Sequence, residues 1–217
     1  KQIQQANLYP IFFGSALTGI GVTELLEDIP ALLPANNPSQ DEELSGIVFK
    51  IEREPSGEKV AYIRVFSGSL HVRKYVDIQR DESLPHKEKI KKMCMFHSGN
   101  AVQSTIVPSG EFCKVWGLND IKIGDIIGER TDYIKDIHFA EPQMEAAIDA
   151  VPKERIHDLY AALMELCEED PLIKVWKDDI HNELYIRLFG EVQKEVIETT
   201  LYEKYNLQVT FSSTRVV

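Results

Sequence analysis

The sequence predicts a multidomain chain: a closed or nearly closed antiparallel β-barrel followed by a ferredoxin-like α/β sandwich, with a shorter helical piece in front. Three observations carry this. Short strand-like runs separated by turn signals recur between residues 44 and 132. The pattern then changes to β-α-β-β-α-β over 141–217. Charge divides the 217 residues in the same places, with net −5 over 1–43, +2 over 44–140 and −8 over 141–217.

The first piece, residues 1–37, holds an apolar run at Phe12-Phe13, read as a strand end leading into Gly14-Ser15-Ala16. In GVTELLEDIPALL (21–33), Val22, Leu25, Leu26 and Ile29 fall at helical spacing, with Thr23 as a local cap and Pro30 ending or kinking the helix. Pro34 to Gln40 and the acidic triplet Asp41-Glu42-Glu43 read as a linker.

The second piece, residues 44–132, opens with SGIVFKI (45–51) and KVAYIRVF (59–66). Further short runs fall at 75–79, 89–96, 102–107, 111–116 and 125–128, punctuated by Ser56-Gly57, Ser67-Gly68, Ser98-Gly99-Asn100, Ser109-Gly110 and Gly124-Asp125. Regularly spaced short strands predict a closed or nearly closed barrel, and closure would remove exposed strand edges.

The third piece, residues 141–217, starts with a strand over 143–151. Pro152 opens a helix over 153–168 with Ile156, Leu159, Tyr160, Leu163, Leu166 and Cys167 on one face. Asp170-Pro171 breaks it. Strands at 172–177 and 183–189 flank a turn at 178–182. Gly190 introduces a second helix, 191–204, with Val192, Val196, Ile197 and Leu201 inward, and 207–211 closes as a strand. This order is the ferredoxin-like split βαβ pair.

Bulk properties limit the function. The chain is 43% hydrophobic and 27% charged, an ordinary globular composition. No apolar run approaches the ~20 residues that span a bilayer, so no membrane partner is expected. Cys94, Cys113 and Cys167 are scattered and odd in number, which points to a reducing cytoplasmic setting rather than a disulfide scaffold or zinc site. A net charge of −11 argues against generic nucleic-acid attraction and against DNA, while the middle stretch is the least hostile to phosphate. His138, His157 and His181 lack triad spacing, and Glu168-Glu169-Asp170 reads as a solvated helix end, so no catalytic or metal-ligating residue is assigned.

Three stretches together resemble the translational GTPases of the elongation factor G class. These are Gly14-Ser15-Ala16; Phe49-Lys50-Ile51 with the run Ala61 to Leu70 (AYIRVFSGSL); and Glu141-Pro142 through Glu169-Asp170-Pro171 to Gly190-Glu191-Val192-Gln193. Within that class, Val192-Gln193 in place of Leu-His, the segment Glu203-Lys204-Tyr205 and the compact insert between Gln79 and Lys89 are similar to the tetracycline-resistance ribosomal protection proteins. The resemblance implies that residues 1–37 are the end of a P-loop GTP-binding domain, that the barrel is the translation-factor domain II, and that the sandwich is domain III. The chain lacks a Gly-x4-Gly-Lys-Ser/Thr loop, so GTP and magnesium would belong to the intact protein, and this stretch alone would be inactive. By the same resemblance Ser15 and Ala16 are the guanine-contact candidates. Arg64, His71, Arg73, Lys74, Gln193 and Lys194 are candidates for ribosome or RNA contact, with HKEKIKK (86–92) a second basic run. The partners implied are ribosomal RNA and proteins, met by a monomer. An elongation-factor-like role in translocation or another translation step, and a non-enzymatic RNA-binding module, stand as alternatives to ribosomal protection.

Overall fold

In a computed structural model, the described residues are 2–3, 7–33, 42–80, 84–131, 134, 141–178 and 183–216. Residues 34–41 of the expected linker, residues 179–182 of the expected turn, His138 and His181 lie outside them. The chain divides into two compact units, residues 1–38 and 39–217.

In the first unit, helix α1 (Val22–Leu32) begins after Gly21 in a left-handed conformation (φ 78°). A side chain at Gly21 would bring its Cβ within 2.4 Å of the Phe13 carbonyl oxygen, so the close approach of residues 13–14 to 20–21 requires glycine there. Gly21, not Thr23, is the helix cap, and Pro30 lies inside the helix, which ends at Leu32. No α1 residue is buried, and Phe13 is 89% exposed. The expected strand end at 12–16 is absent. Residues 11–15 join no sheet, because no neighbouring strand takes their backbone groups. With no strand among the described residues of this unit and no phosphate loop in the sequence, the expectation of a P-loop domain remnant is overturned.

Besides two smaller buried clusters, one of them Val60, Tyr62, Cys94 and Trp116 with Phe96 packed against it, the second unit holds two large hydrophobic cores. Around the first run ten strands: β1 (Ser45–Arg53), β2 (Lys59–Ser67), β3 (Ser69–His71), β4 (Tyr75–Gln79), β5 (His86–Lys89), β6 (Lys92–His97), β7 (Asn100–Gln103), β8 (Ile106–Pro108), β9 (Phe112–Trp116) and β10 (Ile126–Gly128). Period-two alternation sorts β2 into an inner row, Ala61, Ile63 and Val65, and an outer row, Val60, Tyr62 and Arg64.

These strands do not close into a barrel. Eight form an open antiparallel sheet in the order β5-β4-β10-β1-β2-β9-β6-β7, and β3 pairs β8 as a separate ribbon. The core draws on Val76 and Ile78 from β4 and on Met93 from β6, so the sheet wraps a common interior while its ladder stops at β5 and β7. The reason lies in the β5–β6 connection. The Ile90 N–H bonds the Lys74 carbonyl and its own carbonyl accepts from Arg73, whereas the Lys91 N–H turns to the Trp116 carbonyl. Isolated bonds there satisfy the backbone that a continuous ladder would otherwise pair. The edge strands are blunted by charge and polarity instead: β5 reads HKEK and β7 reads NAVQ.

The second core is covered by β11 (Met144–Val151), a 3-10 turn (Lys153–Arg155), α2 (Ile156–Glu169), β12 (Lys174–Asp178), β13 (Glu183–Leu188), α3 (Glu191–Tyr205), β14 (Gln208–Phe211) and β15 (Arg215–Val216). The sheet order is β12-β13-β11-β14, and β15 returns to pair the other half of β11. Leu159, Leu163 and Leu166 of α2 and Ile197 and Leu201 of α3 pack on Ile148, Leu184 and Ile186. One expectation changes here. Val192 and Val196 are 75% and 59% exposed, because at 100° per residue they lie about a quarter-turn or more from Ile197 and Leu201. Gly190 is fully extended (φ 174°), a conformation that any residue adopts, with open space where a Cβ would stand.

Candidate nucleic-acid interface

The outer face of the eight-stranded sheet carries an unusual mixture of rings and cations. Register sets it row by row. Lys50 lies opposite Tyr62, Tyr62 opposite Lys114, and Lys114 opposite Cys94. In the adjacent row Arg64 lies opposite Phe112. The β1–β2 ladder shifts register between Val48 and Lys50, leaving Phe49 unpaired. This bulge turns both Phe49 and Lys50 away from the core while Val48 and Ile51 stay buried.

Four rings meet there. Phe96 stacks on Phe112 at 5.1 Å and on Tyr62 at 6.2 Å, and Phe49 stands edge-on to Tyr62 at 6.0 Å and to Phe112 at 6.3 Å. Lys50 and Lys114 lie 5.1 and 4.9 Å from the Tyr62 ring centre, and Lys92 lies 4.3 Å from that of Trp116. The Tyr62 hydroxyl donates to Glu52 at 2.5 Å, and Lys50 pairs with the same carboxylate at 2.5 Å. Those contacts tune the charges. The hydrogen bonds from Lys50 and Tyr62 lower the Glu52 carboxyl, the bond to Glu52 raises Lys50, and contact with the Tyr62 hydroxyl raises Lys114. Both lysines therefore remain cationic at neutral pH. Arg64 has no carboxylate partner among the described residues.

The residues singled out by sequence fall in several places. Ser15 donates its N–H to the Ile20 carbonyl at 2.9 Å, and its hydroxyl accepts from the Thr18 N–H at 3.3 Å, while Ala16 is exposed in the turn. The Ser15 amide is thus committed within its own turn. No metal-ligating cluster is present among the described residues. With no phosphate loop in the sequence, residues 14–16 do not make a complete nucleotide and magnesium site by themselves. His71, Arg73 and Lys74 come together on the turn leaving β3, where Arg73 adopts φ 67° and the His71 Nε2 bonds the Ser69 hydroxyl at 2.9 Å. Arg64 is not with them but on the ring-bearing face. Gln193 accepts the Phe189 N–H at 2.8 Å, and Lys194 pairs with Glu191 at 3.0 Å, so both brace the start of α3. The second basic run is divided: Lys87 pairs with Asp77, Lys89 lies over Tyr75 and Lys92 over Trp116.

Sequence reasoning missed Lys50, Phe49, Phe112 and Lys114 as candidates. The period-two pattern of FCKVW (112–116) places Phe112, Lys114 and Trp116 on one face, a usable signal. The bulge that exposes Phe49 leaves none. The acidic triplet is also not the solvated end that its sequence suggests. Glu168 bonds Arg53 at 2.6 Å and Lys59 at 3.1 Å, Glu169 bonds Lys204, and Asp170 accepts the Leu172 N–H. Glu168 is part of a charged contact between α2 and the β1–β2 hairpin.

Comparison with known proteins adds three findings. Residues 43–130 match the family "Elongation factor G domain 2", and residues 139–213 match "Elongation Factor G, domain III". The chain is 37% identical over 97% of its length to the tetracycline resistance protein TetP of Clostridium perfringens, covering 32% of that protein. It is 37% identical over its whole length to the oxytetracycline resistance protein of Streptomyces rimosus, covering 33%. A solved structure from Thermus thermophilus shares the fold with a TM-score of 0.75 at 22% identity, over 97% of this chain and 32% of that one. The chain spans about a third of the length of the relatives it matches.

Proposed function

The chain belongs to the elongation factor G family, as a relative of the tetracycline resistance proteins, and from that premise we propose that it is the ribosome-contacting middle of a translational GTPase acting in ribosomal protection. The observation that carries this reading is the cationic, ring-bearing sheet face on a chain whose net charge is −11, placed within the stretch that matches domain 2. Residues 44–132 and 141–217 act as two domains. In the first, Arg64 and the turn bearing His71, Arg73 and Lys74 supply charge to ribosomal phosphates; in the second, Gln193 and Lys194 set the exposed start of α3. GTP and magnesium would be held by the whole protein, and Ser15 and Ala16 are the guanine-contact candidates within this stretch. Ribosome binding by this stretch would couple nucleotide state elsewhere in the protein to a domain rearrangement that releases drug.

The test is GTP hydrolysis by the whole protein with and without 70S ribosomes, together with tetracycline retention on those ribosomes. Stimulated hydrolysis with drug release is the expected result. Stimulation without release would shift the role to an elongation-factor-like translation step, and no stimulation would sink the ribosomal reading.

A further inference from the structure

We infer that the outer face of β1, β2, β6 and β9 is a stacking platform for unpaired nucleotides of RNA, with Phe49, Phe96 and Phe112 as the rings and Lys50, Arg64 and Lys114 as the phosphate contacts. This rests on the ribosomal reading and narrows it, from charge attraction along a backbone to capture of bases that have left a helix.

Several features converge. Phe49 and Phe112 are 43% and 40% exposed beside the buried cluster of Val60, Tyr62, Cys94 and Trp116, so ring area at its edge is left to water. The register shift at Phe49 keeps that ring outward at the cost of a ladder pair, a local irregularity of the kind that re-aims side chains at binding surfaces. Cations alternate with rings across the strands rather than gathering in one run: Lys50–Tyr62–Lys114 in one row and Arg64–Phe112 in the next. Strand spacing of about 4.8 Å sets ring and cation side by side at the scale of a base and its phosphate. Glu52 engages Lys50 and Tyr62, and it lies 3.9 Å from Lys114. Arg64 is left to meet an external anion.

Charge selects the occupant. Two such cationic patches repel each other face to face, and each repels a basic protein, whereas a phosphodiester chain matches the charge along its whole length. Ring faces suit unstacked bases, which duplex RNA keeps buried within its stack.

The experiment compares binding of the 217-residue chain to a fluorescein-labelled unstructured decanucleotide RNA and to an RNA hairpin of equal charge, by anisotropy at low salt. Co-sedimentation with ribosomes is measured in parallel. Tighter binding of the single strand is expected, weakened about tenfold by F49A/F112A with the hairpin unaffected. R64Q should weaken both. F112L keeps an apolar side chain at this position and should lose single-strand binding while its melting temperature stays near that of the unmodified chain; F112Y should retain binding. Equal affinity for strand and hairpin, or an F112L variant that binds the strand normally, would overturn the stacking platform while leaving ribosome co-sedimentation intact. Ring variants that lose ribosome binding but keep the RNA affinities would give the face a protein occupant and overturn the proposal as well. Loss of co-sedimentation by the unmodified chain would instead remove the ribosomal reading beneath it.

Discussion

Gly117 stands where the backbone of the β5–β6 connection comes closest to the end of β9. Its φ is 101°, and a Cβ there would lie 2.7 Å from the Lys89 carbonyl oxygen and 2.9 Å from the Lys91 nitrogen. Both neighbours are backbone, so neither can swing aside as a flexible side chain would. The same segment carries the isolated bonds of Ile90 and Lys91 across the gap in the ladder. Gly117→Ala therefore combines a left-handed strain with a steric clash, and we expect a loss of about 2–4 kcal/mol in urea unfolding. A loss below about 0.5 kcal/mol would mean that the connection is not held where it is described.

At the scale of an element, α3 shows how a sequence pattern misleads. Apolar residues at 192, 196, 197 and 201 look like one stripe, yet only Ile197 and Leu201 are buried. The helical angle separates the two valines from them, and the five-stranded sheet packs against only one side of the helix. Ile197→Ala should cost about 2–4 kcal/mol, whereas Val196→Lys should stay within about 0.5 kcal/mol, as read from thermal unfolding. A large loss for Val196→Lys would place that face in a contact rather than in water. The β-α-β-β-α-β order was legible because its helices and strands differ in period over long segments. Closure of the first sheet was not legible, since whether β5 meets β7 depends on where a few connecting residues send their N–H groups. The interface was half legible: Arg64 came from local charge, but the rings and lysines joined it only through register across four strands. Ser15 stands out by its residue type, and the turn that consumes its amide is a backbone property that no residue type announces.

At the scale of the 39–217 unit, one charged contact ties α2 of the second core to the β1–β2 hairpin of the first. Lys59 is 8% exposed and donates to the Ile121 carbonyl at 3.2 Å as well as pairing with Glu168, and Arg53 comes to the same carboxylate. Burial by itself would raise the Glu168 carboxyl, but the hydrogen bonds from Arg53 and Lys59 outweigh it and hold the group below its ordinary value of 4.5. The sign follows from linkage: a carboxyl depressed on folding contributes stability that is fully present above the ordinary value and is lost as pH falls through the depressed one. Glu168→Gln removes the anion and leaves Lys59 and Arg53 facing a neutral amide in a largely buried place, so we expect about 1–3 kcal/mol of destabilisation at pH 7. The difference between the unmodified and Gln chains should be constant from pH 7 to about 5 and shrink below about pH 4 as the native carboxylate takes up its proton. Melting temperatures of the two chains across that range provide the measurement, with Glu169→Gln, whose partner Lys204 lies on the neighbouring α3, as the comparison. Because the contact joins two separate cores, its loss should also loosen one against the other, increasing amide hydrogen exchange in residues 51–60 and 165–169 while leaving the centres of β2 and β13 protected. A uniform rise in exchange across both cores would show instead that they unfold as one cooperative body, with Glu168 stabilising the whole rather than the joint.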